Sequence, residues 1–151
     1  MKRMAFLVAG ACAAALTSAA QPGTELIANG SLSQLDAQGW PVGWPQGRSA
    51  RVASDAAGNR LVCEGAGAAV NFRIPLKPEY GRLTLSLKMK VTDVTPGKEG
   101  WQTGRLAMSF HNAKGERVGE WPNVFGMTGT TGWIDCERVY PVPPDAVTLA
   151  L

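Results

Sequence analysis

One histidine in 151 residues leaves little room for histidine chemistry. His111 would need a neighbouring nucleophile and an orienting carboxylate to act as a general base, and no motif supplies them; a surface or turn-capping role is expected instead. No Cys/His spacing fits zinc. The twelve Asp and Glu are scattered singly, and only Asp135 and Glu137 share a strand face, where a solvated edge is the ordinary meaning and a glycosidase pair the rare one. Gly65-Ala66-Gly67 follows one candidate strand and leads into another, so no helix N-terminus is available to hold a phosphate. No catalytic constellation is expected. Beyond residue 20 no apolar run is long enough for a membrane helix, and no apolar period of 3.6 residues appears. Helices therefore have little place in the expected fold.

What is present begins with an export signal. Lys2 and Arg3 form a charged n-region, Phe6 to Leu16 an apolar h-region, and Ser18-Ala19-Ala20 a small-residue cleavage site before Gln21-Pro22. A lipoprotein reading at Cys12 is disfavoured, because Ala9 stands where Leu is usual. The expected division is a signal peptide over residues 1–20 and one domain over 21–151, secreted or periplasmic in a bacterium. Removing 20 of 151 residues leaves 131, enough for one core and too few for two. The 15 Lys and Arg against 12 Asp and Glu become 13 against 12 without Lys2 and Arg3. That balance excludes a strongly basic nucleic-acid footprint or a membrane-surface one. Export permits a disulfide between Cys63 and Cys136; the alternative is that both are small buried strand residues.

Eighteen Gly and ten Pro occur without a period and punctuate many short elements. The clearest strand is Arg82 to Val94, where Leu83, Leu85, Leu87, Met89 and Val91 alternate with polar residues. Arg105–His111 and Ala146–Leu151 repeat the pattern. Shorter candidates are Leu26–Ala28, Ala50–Ala53, Leu61–Cys63, Ala69–Ile74, Val118–Trp121 and Trp133–Val142, with turns between them, including Gly126–Gly132. About nine short strands predict an all-β antiparallel sandwich, with a jelly roll the best arrangement among sandwiches. Leu151 falls inside an alternating strand, from which a further closing strand is expected downstream.

From Leu26 onward the chain resembles the carbohydrate-binding-module-like jelly rolls of the galactose-binding superfamily, found beside glycoside hydrolase domains. Leu26-Ile27-Ala28-Asn29-Gly30-Ser31-Leu32 is similar to their first strand and turn, and Gly39-Trp40-Pro41-Val42-Gly43-Trp44 to their Gly-Trp-Pro-x-Gly-Trp segment. Gly132-Trp133, Tyr140-Pro141-Val142-Pro143 and Val147-Thr148-Leu149 resemble the later part of the family pattern. Ser33 stands where many relatives carry an acidic residue, and the closing strand with its Asp-Asp pair is absent. A structural calcium, which both positions can serve in relatives, is left open; no other cofactor is expected.

The resemblance implies a non-catalytic module that binds a polysaccharide or oligosaccharide, accessory to a downstream catalytic domain. A protein-interaction sandwich that binds no sugar is the alternative. Sugars need aromatic faces for their C–H surfaces and polar side chains for their hydroxyls. Trp40 and Trp44 are expected to pack over the sandwich end, and Trp133 to enter the core. Trp101, with Gln102 and Arg105, and Trp121, with Asn123, lie in polar loops and are the candidate binding residues.

Overall fold

The computed structural model describes residues 25–151 and the backbone of Arg3–Leu7. The remainder of the expected signal, including the cleavage site, lies outside the described residues. Among those described there is no helix, and every strand pairing is antiparallel. The strands are β1 (Arg3–Leu7), β2 (Ala50–Asp55), β3 (Gly58–Glu64), β4 (Arg73–Pro75), β5 (Arg82–Thr92), β6 (Gly104–Arg105), β7 (Ser109–His111), β8 (Arg117–Val118), β9 (Gly126–Met127), β10 (Ile134–Pro141) and β11 (Thr148–Ala150).

One sheet has the order β10-β5-β1-β3-β2, a second β4-β11-β7-β8, and β6 pairs with β9 as a short ribbon. Strand β5 anchors the first sheet because its alternation is strict: Leu83, Leu85, Leu87, Met89 and Val91 are all buried and the residues between them are not. Leu83, Leu85, Leu87 and Met89 join Leu61 and Cys63 of β3 with Ile74, Phe110 and Leu149 of the second sheet in one apolar cluster. Two antiparallel sheets thus share a single core, as in a β-sandwich. The β2–β3 hairpin turns at Ala56-Ala57, where Asp55 Oδ1 accepts the Ala57 N–H at 2.8 Å and the Asp55 carboxylate pairs with Arg60. Those contacts, the backbone N–H first, hold the Asp55 carboxyl below its ordinary range.

Several expected strands change where backbone partners intervene. Leu26–Ala28 is bend and turn: the Ala28 carbonyl accepts the Trp44 indole N–H at 3.0 Å, and Asn29 turns the chain at φ 56°. Asn29 meets the cost of that left-handed backbone with its side-chain amide, which bonds the N–H and carbonyl of Gln34. The expected strand Arg105–His111 divides into β6 and β7, whose partners lie in different sheets; between them the Leu106 N–H bonds the Phe125 carbonyl. Of Val118–Trp121 only Val118 is in a strand, joined in β8 by Arg117 before it in the chain, since Gly119 turns away at φ 75°. Gly126 and Met127, expected in a turn, instead pair with Arg105 and Gly104.

Cys63 and Cys136 are free, buried thiols. The permitted disulfide does not form, because β5 and β1 stand between β10 and β3. Three interstrand steps of about 4.8 Å exceed the roughly 7 Å limit between bridged Cα atoms, and two steps would exceed it as well. Burial pushes the Cys63 thiol up to about 11, and burial together with the Asp135 charge raises that of Cys136. A raised native thiol pKa favours the neutral form, so the contribution of Cys63 to stability is complete below pH 9 and is lost as pH rises towards 11. At pH 8 the thiolate fraction is about a hundredfold below that of an unfolded cysteine. Iodoacetamide labelling of Cys63, followed by mass spectrometry with and without denaturant, is expected to show a rate difference of about that size.

Candidate functional site

The five tryptophans divide by environment. Trp40 and Trp44 are buried, as expected. The Trp40 indole N–H is shared between the carbonyls of Trp44 and Pro45 at 3.3 and 3.2 Å, and the Trp44 ring meets Phe72 edge-on at 4.9 Å and 82°. Trp133 departs from expectation: it is 44% exposed, standing just before β10, which is the outermost strand of its sheet among the described residues. Trp101 and Trp121 are 57% and 65% exposed.

Each of these last two rings carries an arginine. The Arg105 guanidinium lies 4.8 Å from the Trp101 ring centre, and that of Arg117 4.8 Å from the Trp121 ring centre. Such stacking holds an otherwise free indole in place and leaves its other surface open. The Trp101 loop is closed on itself: Gly97 N–H donates to Gln102 O at 2.8 Å, Gln102 N–H to Glu99 O at 2.9 Å, and Glu99 N–H to Gln102 Oε1 at 3.2 Å. Gly97 permits this because a Cβ there would overlap the Gln102 side chain.

Trp101, Gln102 and Arg105 line a depression of about 940 Å³ whose apolar floor includes Leu61, Leu85 and Leu87. Trp121 and Arg105 line a second of about 960 Å³. Phe72, Arg105, Ala107 and Leu151 belong to both, so the hollows adjoin with Arg105 between two exposed indoles. Four of the five expected binding residues are thereby gathered on one side of the fold. Asn123 stands outside both depressions. Its carbonyl accepts Arg138 Nη1 at 2.6 Å and the Tyr140 hydroxyl at 2.9 Å, tying the Trp121 loop to β10. Burial raises the Tyr140 phenol, with Arg138 opposing.

Arg117 was not among the expected residues. The signal available for it was the four-residue spacing Arg117 to Trp121, which mirrors Trp101 to Arg105. A second unforeseen pair is Ser109 Oγ and His111 Nε2, 2.9 Å apart on one face of β7. His111 Nδ1 lies 3.0 Å from the Gly115 carbonyl, closing the β7–β8 turn. No carboxylate orients this imidazole; its second nitrogen is held by the backbone. Asp135 is paired with Lys88 across the strands at 3.3 Å and is largely exposed. Among the described residues no three His, Cys, Asp or Glu side chains come together as a metal site would require.

Comparison with protein-family models, with curated proteins and with solved structures returns no match to this chain. The chemistry available at the site is therefore read from its side chains: indole faces for apolar contact, and guanidinium and amide N–H groups for hydroxyl or carboxylate oxygens.

Proposed function

We propose that residues 21–151 form a non-catalytic carbohydrate-binding-like module, a jelly roll of the galactose-binding type, exported as the accessory part of a polysaccharide-acting protein. The observation that carries this reading is the placement of two exposed, arginine-backed tryptophans beside adjoining hollows that share Arg105. A pyranose ring places its C–H face on the open surface of an indole, while Gln102 and Arg105 meet its hydroxyls. Two such platforms suit an extended glycan, because each contributes modestly and the pair acts together. Titration with a panel of soluble polysaccharides, followed by intrinsic tryptophan fluorescence and by retardation in affinity gels, tests it; a shift and retardation with at least one glycan are expected.

Exposed Trp133, Ile134 and Val139 along edge strand β10 favour the second reading, a scaffold that docks a protein neighbour and binds no sugar. An intact fold that is retarded by no glycan selects it.

Gly97→Ala separates loop geometry from ring chemistry. The added methyl meets Gln102 Cβ at 2.5 Å and must displace the Gln102 side chain. Overpacking of about 1–3 kcal/mol, relieved by opening an exposed loop, is expected to reorient Trp101. Glycan retardation then falls although Trp101, Gln102 and Arg105 are all present, while the melting temperature changes by only a few degrees (about 2–5 °C). Differential scanning fluorimetry beside affinity gels reads both.

A further inference from the structure

The first sheet holds an unusual central position. Strands β3 and β5 run in the same direction and do not pair with one another; the five residues Arg3–Leu7 lie between them, antiparallel to both. Arg3 to Phe6 register with Glu64 to Leu61, and Arg3 to Leu7 with Thr92 to Lys88. These residues belong to the expected export signal, which processing would remove. The inner edges of β3 and β5 would then present two facing rows of unpaired N–H and C=O groups, a template for another strand.

The gap is held open by contacts that do not involve β1. At its open end the β2–β3 hairpin continues into Arg48 and Ala69, joined by reciprocal backbone bonds at 2.8 and 3.0 Å, and three residues on Phe72 is bonded to Leu151 in the same way, at 2.8 and 3.1 Å. At the other end Asn59 Nδ2 donates to the carbonyl of Leu32, a fully buried residue, at 2.6 Å. Closing β3 onto β5 would shift this hairpin by one interstrand spacing, about 4.8 Å, and break those ties. The side chains bordering the gap also define an occupant. Leu61 and Met89 stand at one registered position and Cys63 and Val91 two residues away, all four buried, whereas Lys88 and Lys90 alternate with them.

We propose that the space between β3 and β5 is a strand-acceptor site. Arg3–Leu7 fill it in the intact chain; after their removal it takes an extended segment of a partner polypeptide carrying two apolar residues two positions apart. Binding is by strand addition on both sides at once, main-chain hydrogen bonds giving affinity and the two apolar positions giving register. The site shares Leu61 and Cys63 with the lining of the Trp101 hollow, but the proposal does not rest on sugar binding.

Two measurements on the full chain test this. With Met4→Cys and Cys12→Ser, mild oxidation and peptide mapping are expected to find position 4 linked to Cys63, since opposed Cα atoms of an antiparallel pair lie about 4.5–5.5 Å apart, within disulfide reach. In the second, a fluorescent peptide of residues 2–9 is titrated into the unsubstituted chain and into Ala5→Pro, which removes a ladder hydrogen bond from β1. The peptide is expected to bind Ala5→Pro at least about tenfold more tightly, because the unsubstituted chain competes with its own segment. A peptide with lysine at both apolar positions is expected to bind neither. Phe6→Asp replaces Ala5→Pro if that chain does not fold. Absence of the 4–63 link, equal peptide binding by the two chains, or self-association of the vacated chain without peptide binding overturns the proposal.

Discussion

Trp44→Ala is expected to lower the unfolding free energy by about 3–5 kcal/mol, the cost of emptying a large aromatic site in a packed interior. The indole is almost wholly buried, meets Phe72 edge-on, and satisfies the Ala28 carbonyl through its N–H. Truncation removes the ring contacts and leaves that carbonyl without its partner, a loss that a methyl group cannot replace. For a domain of this size the melting temperature should fall by about 10–20 °C, as measured by circular dichroism or calorimetry. A fall of only a few degrees, about 3 °C or less, would mean that the Gly-Trp-Pro-x-Gly-Trp segment is not a structural clasp.

The opposite pattern is expected at the other end of the tryptophan series. Trp101→Ala and Trp121→Ala each remove a ring that is more than half exposed, so neither should move the melting temperature by more than about 2 °C. Each should weaken glycan binding about tenfold, the loss of roughly 1.4 kcal/mol of stacking and apolar contact, and the double variant by more than either alone. Arg105→Ala is informative beside them. Arg105 stacks on Trp101 and lines both hollows, so its removal should weaken binding through both platforms, whereas Arg117→Ala should act through Trp121 alone. The separation of stability from affinity across the series distinguishes a binding face from a lid on the core.

Strand β5 shows what patterning can reveal: eleven residues of strict alternation led to the right element and the right buried face. Trp40 and Trp44 were also legible, because a Pro/Gly-rich segment with two indoles has little to do but fold back onto an apolar surface. Arg105–His111 was not, since its side-chain alternation continues while its backbone changes partners, and the choice of partner is a long-range property. Trp133 was misjudged for a related reason. Its own residues suggest a strand, but whether that strand is central or at an edge depends on which segments lie beside it. Cys63 and Cys136 could be placed on strands, yet only the sheet order shows them too far apart to bridge. At the site, Trp101 and Arg105 were legible as neighbours in sequence. That Arg105 also lines the adjoining hollow of Trp121 is a long-range property, which no local signal announces.

Glycan binding at the Trp101–Arg105–Trp121 face is the proposal from which these expectations follow. Affinity electrophoresis of the folded chain and of the Trp101→Ala/Trp121→Ala double variant, through gels containing a panel of polysaccharides, tests it most directly. At least one polysaccharide is expected to retard the unsubstituted chain, and the double variant, with a melting temperature within a few degrees (about 4 °C) of it, to migrate as if no polysaccharide were present. Equal retardation of both chains, or retardation of neither on any polysaccharide while both remain folded, would contradict it.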